Sequence, residues 1–413
     1  MMDFWLKLPP LAQGGAMFLW GLVIGGQINR GIYRLAYEPR AIGAWSAPAS
    51  GALPRRWFDR VPLLGWWTLR RESPVHGAGY WIRPIIIELL FASGLTALYF
   101  LEMGHGLLVP NMAGELPDPE MLLAQFLGHA LLLSLLTVAT FIDFDERSIP
   151  DGVTIPGTLA ALALATALPL GGLPTWQRIA GTSEIEAVPL RLTSPNPWNG
   201  ELDGATGLWI GMACFAGWCA ALIPRAWITR RGLGLALVYL VASMRRSGWC
   251  LPMAAMAAAG CGAIAGVWLL GGDWWRSLLT ALVGMASGGL LVWFFRIVFG
   301  WVLAEEAMGF GDVTLMAMIG AFLGWQSTLI VFFLAPFAAV AIAVGQWLFT
   351  GRRDIAFGPY LCFAAVVLIV RWDALWQRTL VGLFALGWLI PAVIVACVGV
   401  MGPILWIWRR LRA

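Results

Sequence analysis

Phe141-Ile142-Asp143-Phe144-Asp145-Glu146-Arg147-Ser148-Ile149-Pro150-Asp151 closes one long apolar run and opens the next. The same transition recurs at Glu306-Ala307-Met308-Gly309-Phe310-Gly311-Asp312. Around both stretches the chain reads as membrane helix, where an ionisable side chain is costly and, as a rule, functional. These two acidic turns organise the reading of everything else.

Composition sets the class. Of 413 residues, 60% are hydrophobic and only 12% are charged, and there are 25 tryptophans. Several apolar runs reach the roughly 20 residues needed to cross a hydrocarbon core of about 30 Å. The expected fold is all-α: a polytopic integral membrane protein with roughly 8–11 transmembrane helices and a cytoplasmic N-terminal loop. A β-barrel would show weak alternating segments instead. The formal charge of +4 rests almost wholly on arginine, with no aromatic-interleaved basic tract, so no nucleic-acid partner is expected. The six cysteines lie in or beside apolar runs without a C-x-x-C pair, which predicts buried free thiols and no metal site. The first apolar run lacks a small-residue cleavage site and is read as a retained helix.

Spans are expected at about 11–28, 84–101, 121–142, 153–170, 204–223, 252–270 and 278–303, then as two runs to 325 and over 329–349, and finally from 357 to 370 and from 380 to 408. The segment 233–241 is too short to cross and is expected along the interface. Arg30, Arg34, Arg40, Arg55, Arg56, Arg60, Arg70 and Arg71 crowd the loop after the first span, whereas 102–120 has Glu115 and Asp118 but no Lys or Arg. The positive-inside rule therefore places the arginine-rich loop in the cytoplasm. Counting reversals from there brings both acidic stretches to that same side. The loop 171–203, polar and proline-punctuated, is expected outside.

Two carboxylates sharing one proton supply an acid and a base, so Asp143 and Asp312 are the candidate catalytic pair. Glycines beside Asp312 remove bulk and let an extended substrate approach the main chain. Asp145 and Glu146 read as ordinary charges at a helix end, and Asp151, after Pro150, as an N-cap. Taken alone, Gly-x-Gly-Asp recurs by chance.

In combination the motifs are specific. Asp143-x-Asp145-x-Arg147-x-Ile149-Pro150-Asp151 followed by Glu306-Ala307-Met308-Gly309-Phe310-Gly311-Asp312 closely resembles the type IV prepilin peptidases. Gly320-Ala321, Gly324-Trp325 and Phe357-Gly358-Pro359 continue the likeness, as do Asn29-Arg30-Gly31-Ile32-Tyr33-Arg34 and Phe58-Asp59-Arg60-Val61-Pro62 through Arg83-Pro84 and Glu88. The resemblance implies catalysis by Asp143 and Asp312, with Gly309, Gly311, Glu306, Arg147, Pro150, Gly358 and Pro359 supporting the site or the substrate. It implies removal of a basic leader from prepilins or pseudopilins of type IV pilus or type II secretion systems. The reaction would take place at the cytoplasmic face of a bacterial inner membrane. In many members N-methylation with S-adenosylmethionine follows.

The resemblance divides the chain into an N-terminal region (1–101), a first core half (102–170), an insertion (171–276), a second core half (277–375) and a C-terminal span (376–413). Two departures stand out. The loop at Arg70-Arg71-Glu72-Ser73-Pro74-Val75-His76-Gly77 has none of the cysteines that resemble a zinc knuckle in typical members, and His76 reads as a polar loop residue. The insertion exceeds what the family core needs, and an extra helix pair is expected in it. The rival readings are another aspartate-dependent membrane enzyme, a proton-coupled transporter with acids near span midpoints, and a non-catalytic membrane subunit.

Overall fold

Continuous apolar runs leave the main chain no partner in lipid except itself, and the chain forms helices accordingly. The computed structural model describes residues 7–48, 52–108, 117–178, 185–223, 248–303, 308–350, 357–387 and 389–412, with single positions Trp5, Val238, Ala242 and Arg246. The expected interfacial segment 233–241 lies outside the described residues, apart from Val238. The long helices are α1 (Pro10–Leu35), α2 (Ile82–His105), α3 (Pro119–Glu146), α4 (Asp151–Ala167), α5 (Ala205–Leu222), α6 (Cys250–Leu270), α7 (Gly272–Leu303), α8 (Phe310–Thr350), α9 (Gly358–Val370) and α10 (Leu389–Arg412). Among the described residues seven helices are long and apolar enough to cross a membrane. An eighth is counted if α9 and the Asp373–Phe384 segment, bent from it by 77°, form one span.

The central bundle depends on a close crossing of α7 and α8. A Cβ at Gly284 would overlap the carbonyl oxygen of Gly320, and one at Gly320 would overlap that of Gly284. Gly284 with Gly288, and Gly320 with Gly324, are spaced as small residues that let membrane helices touch main chain to main chain. The two apolar runs expected up to 325 and over 329–349 are the two arms of α8. They are separated at Gly324, whose φ of 81° and ψ of 169° only glycine adopts readily. The second arm doubles back: the Thr328 methyl lies 2.8 Å from the Cβ position of Gly320. Eight residues of continuous helix would span about 12 Å. The buried faces of α3, α7, α8 and α9 share one core, and α5, α6 and α7 enclose a second.

Segment 171–276 contains two helices, α5 and α6, and its polar loop is ordered in a way the sequence did not suggest. Pro174–Arg178 (β1) and Ile185–Pro189 (β2) pair antiparallel, with Thr175 opposite Val188. Indole N–H groups from helix ends hold this loop down. Trp372 donates to the Pro174 carbonyl, Trp376 to the Thr175 hydroxyl and Trp325 to the Leu192 carbonyl. Trp275 and Trp268 donate to the carbonyls of Leu202 and Asp203. The Gln326 amide donates to the carbonyls of Arg191 and Ser194 at 2.8 and 3.1 Å. Hydrogen-bonding tips on apolar bodies suit tryptophan to this boundary.

Glu102, assigned from sequence to an external loop, lies inside α2. It is buried there against His129 of α3 at 2.7 Å. The last span begins later than expected, at Leu389, after Gly387 breaks the chain with a φ of 57°.

At the opposite end from the hairpin, the arginine-rich loop packs around Trp66, Leu69, Ala44 and Tyr33. Its acids are buried in ion pairs: Arg71 holds Asp59 at 2.6 Å, and Arg55 pairs with Glu72. Arg60 and Arg70 stack on Trp45 and Trp67. His76 sits 3.5 Å from Glu72 and against the Tyr80 ring. Among the described residues no three His, Cys, Asp or Glu side chains converge on one point. Between this loop and the adjoining ends of α1 and α2 lies a cavity of about 470 Å³.

Two outcomes follow from this packing. Gly320→Leu should prevent assembly of the bundle and lose the monodisperse detergent-solubilised peak, because main chain cannot yield as side chains do in ordinary overpacking at roughly 1–3 kcal/mol. Gly217→Leu, where a side chain meets open space, should not. The second outcome concerns Asp59. Burial pushes its carboxyl up, but hydrogen bonds from Arg71, the Arg56 N–H and Thr68, with the Arg71 charge, outweigh that and hold it at about 2. A depressed carboxylate stabilises the fold above its unfolded value near 4 and ceases to as pH falls through about 2, an effect of about 2 kcal/mol. Hydrogen exchange in the Trp66–Leu69 turn should therefore quicken roughly thirty-fold in Asp59→Asn at pH 7, with the difference vanishing as pH falls from 4 to 2.

Candidate active site

Asp143 lies in the last turn of α3 and is 5% exposed. Its main chain is fixed by Arg147, which adopts a left-handed φ of 55° and returns its N–H to the Asp143 carbonyl at 2.9 Å. Its side chain meets the start of α9, where the Gly358 N–H donates to the carboxylate. The first-turn donors of α9 are thereby accounted for: Gly358 serves Asp143, Pro359 has none to offer, and Tyr360 and Leu361 both donate to the Phe357 carbonyl. A Cβ on residue 358 would sit 2.6 Å from Asp143 Oδ2 and 2.7 Å from Ile149 Cδ1. Glycine is required there because the main chain itself is the ligand.

Asp312 is 8% exposed and occupies the third position of α8. Its Oδ2 accepts the Gly309 N–H at 3.1 Å, the acidic half of a capping box. Gly311 presses on Ile149, with a Cβ position 3.0 Å from both the Ile149 Cβ and its carbonyl oxygen. Gly311 and Gly358 thus close on the same isoleucine from two helices. That brings the ends of α3, α8 and α9 together, and Asp312 feels the charge of Asp143. The helix macrodipole favours negative charge at the starts of α8 and α9.

Of the residues singled out from sequence, Asp143, Asp312, Gly309, Gly311, Arg147, Pro150, Gly358 and Pro359 all fall at this one end of the bundle. Glu306 lies outside the described residues. Pro150 is the residue that caps α4, and Asp151 is the first residue of the helix rather than its N-cap. Proline's fixed φ suits the entry, and its carbonyl accepts the Val153 N–H.

Asp145 and Glu146 do more than face solvent. Arg83 binds Asp145 through both carboxylate oxygens at 2.8 and 3.0 Å, and the N–H groups of Tyr37 and Glu38 donate to Glu146. These two acids tie the arginine-rich loop to the helix that carries Asp143.

Three neighbours were not picked out from sequence. Ile149 was quoted within its motif but given no role. Arg296 of α7 lies 6.0 Å from the Phe310 ring and within the field of Asp312. A lone arginine inside an apolar span was a readable signal. Cys362, one turn beyond Gly358, is buried, hydrogen-bonded to Thr140 and within the field of both aspartates. Nothing in the sequence alone placed it there.

Comparison with known proteins finds relatives by sequence. Residues 205–344, which include Asp312 but not Asp143, match the type IV leader peptidase family. The prepilin leader peptidase/N-methyltransferase of Aeromonas hydrophila is 34% identical over 116 residues, 27% of this chain and 39% of that protein. The protein of the same name from Myxococcus xanthus is 34% identical over 161 residues, 38% of this chain and 40% of that protein. That from Pseudomonas putida is 32% identical over 111 residues, covering 26% and 38% respectively. The chain thus spans about two fifths of the length of the curated relatives it matches. No solved structure matches. By these matches, and by its two acidic turns, the chain is similar over part of its length to the type IV prepilin peptidases.

Proposed function

We propose that this chain is an intramembrane aspartic endopeptidase that removes the basic leader from a prepilin or pseudopilin at the cytoplasmic face of a bacterial inner membrane. The observation that carries the reading is the burial of Asp143 and Asp312 at one end of the bundle, each met by a main-chain N–H at a helix start. The relatives' name, prepilin leader peptidase/N-methyltransferase, supplies the substrate class.

The dyad acts as a pair holding one proton. The ionised carboxylate takes a proton from water as the water oxygen bonds to the scissile carbonyl carbon. The protonated carboxyl gives its proton to the carbonyl oxygen. As the resulting gem-diol collapses, one hydroxyl returns its proton to the second carboxylate, the C–N bond breaks, and the proton taken from water passes to the leaving amine. Gly309, where an added Cβ would meet nothing closer than 3.8 Å, leaves the main chain beside Asp312 open to an extended peptide.

Methylation of the new amino terminus is the second half of the proposal, after the relatives' name. S-adenosylmethionine would supply an electrophilic methyl group, but the residues lining the 470 Å³ cavity do not fit it. Their unpaired charges are the cations Arg30, Arg34 and Arg60, whereas the donor carries a sulfonium and an ammonium against one carboxylate, and the cavity's own carboxylates, Asp59 and Glu88, are already taken up by donors.

A proton-coupled carrier is the second reading, favoured by the buried Glu102–His129 pair between α2 and α3. Cleavage separates the two. Purified chain incubated with a prepilin should yield a product lighter by the leader, and heavier by one methyl group only when S-adenosylmethionine is added.

Asp143→Asn and Asp312→Asn should each abolish cleavage, with membrane insertion and yield unchanged. Asp145→Asn should be milder. Gly358→Ala should lose at least about a hundredfold, as expected when a reacting group is displaced by about 1 Å. Near-normal turnover in Asp143→Asn would end the dyad assignment. Labelling Ser73→Cys from outside on a cysteine-free background, while Ser183→Cys stays protected, would reverse the orientation.

A further inference from the structure

The cavity between the arginine-rich loop and the ends of α1 and α2 has a charge balance that can be worked out residue by residue. Two carboxylates line it, and both are saturated. Asp59 is held by Arg71, Thr68 and the Arg56 N–H. Glu88 accepts from the Leu63 N–H at 2.6 Å, the Trp66 indole at 2.9 Å and the Asn29 amide at 3.1 Å. Four arginines also line it: Arg30, Arg34, Arg40 and Arg60. Arg40 is 4.0 Å from Asp145. The other three have no carboxylate partner among the described residues, and Arg30 and Arg60 both stack on Trp45, at 5.2 and 5.1 Å. The uncompensated charge is therefore positive.

A second observation lies deeper in the same cavity. Asn29 is 1% exposed, and its amide nitrogen is spent on Pro84 and Glu88. Its Oδ1 is a buried acceptor with no partner. An acceptor left this way costs about 1–3 kcal/mol, so the site asks for a donor from a ligand. A group with an anion at one end and a hydroxyl or ammonium at the other meets both demands. The position selects the source. Gly26–Arg34 is the end of α1 and Glu88 lies early in α2, where both spans emerge at the arginine-rich face. Trp45, Trp57 and Trp67 stand exposed beside it, as aromatic residues do at headgroup depth.

We propose that this cavity binds the headgroup of an anionic phospholipid, its phosphate held by Arg30, Arg34 and Arg60 and a headgroup hydroxyl donating to Asn29 Oδ1. The basic leader of a prepilin would be repelled from the same place, so the lipid site and the substrate path are distinct. The proposal stands whether or not the chain cleaves prepilins.

The test is native mass spectrometry of the full chain in mild detergent with phosphatidylglycerol, phosphatidylethanolamine, phosphatidylcholine or glycerol 3-phosphate. Phosphatidylglycerol should be retained most. Phosphatidylethanolamine, which has a donor but no net charge, should come next, and phosphatidylcholine, which has no donor, last. Arg30→Gln with Arg60→Gln should weaken phosphatidylglycerol retention roughly fivefold per arginine. Arg34→Gln, exposed at a helix end, provides an independent arm, and thermal unfolding without lipid checks each variant's fold. Arg56→Gln with Arg70→Gln, charges of the same loop that do not line the cavity, should leave retention unchanged. An equal loss in that control pair would reduce the effect to bulk attraction and overturn the site. So would equal retention of phosphatidylglycerol and phosphatidylcholine. Glycerol 3-phosphate bound as tightly as the lipid would replace the lipid with a soluble anion.

Discussion

A carboxylate taken out of water must be met by donors, and here the donors have to come without bulk. The start of a helix offers such donors, because its first N–H groups have no partner inside the helix. Asp143 takes one from the start of α9 and Asp312 takes one from the start of α8. Both aspartates therefore depend on glycine: a side chain at 358 would strike the Asp143 carboxylate, and one at 311 would strike the Ile149 main chain. The motif spacing restates this constraint. Gly-x-Gly-Asp puts the acid on the third residue of a helix, in reach of the N–H that precedes it.

That arrangement needs three helix ends brought to one place, and the rest of the fold supplies it. The α7–α8 crossing at Gly284 and Gly320 sets the depth of Asp312. The reversal at Gly324 returns the second arm of α8 alongside α7. At the far end the hairpin is held by indole and amide donors from α8 and from the segment after α9. The polar loop thereby clamps the helices that carry the site. At the near end Asp145 and Glu146 bind the arginine-rich loop, so the loop's position and that of Asp143 are set by one turn of α3.

Much of this was legible in the sequence, for physical reasons. Apolar run lengths mark the helices, and arginine asymmetry brings the two acidic stretches to one end. Gly-x-Gly-Asp and Phe-Gly-Pro marked the helix starts that hold the carboxylates. What escaped was what periodicity does not encode. The hairpin at 174–189 is short and proline-bounded, and it and the loop after it are held by tryptophans some 130 to 200 residues away in sequence. Glu102 was taken for a loop charge because its partner, His129, is on another helix. Asp59 and Glu72 stand among loop arginines in the sequence, and only the packing around Trp66 buries them. Cys362 lies one turn from a recognised motif, yet only the packing of α9 on α3 sets it beside both aspartates.

The central claim is that Asp143 and Asp312 face one another across the ends of α3 and α8. Cysteine pairing measures this most directly. On a cysteine-free background, Asp143→Cys with Asp312→Cys is treated with the shortest bifunctional methanethiosulfonate linker, and the chain is then cut between the two positions. The account predicts that the fragments stay joined until reductant is added, as they should for the adjacent pair Arg83→Cys with Asp145→Cys. Fragments that separate while the Arg83–Asp145 pair links would contradict it.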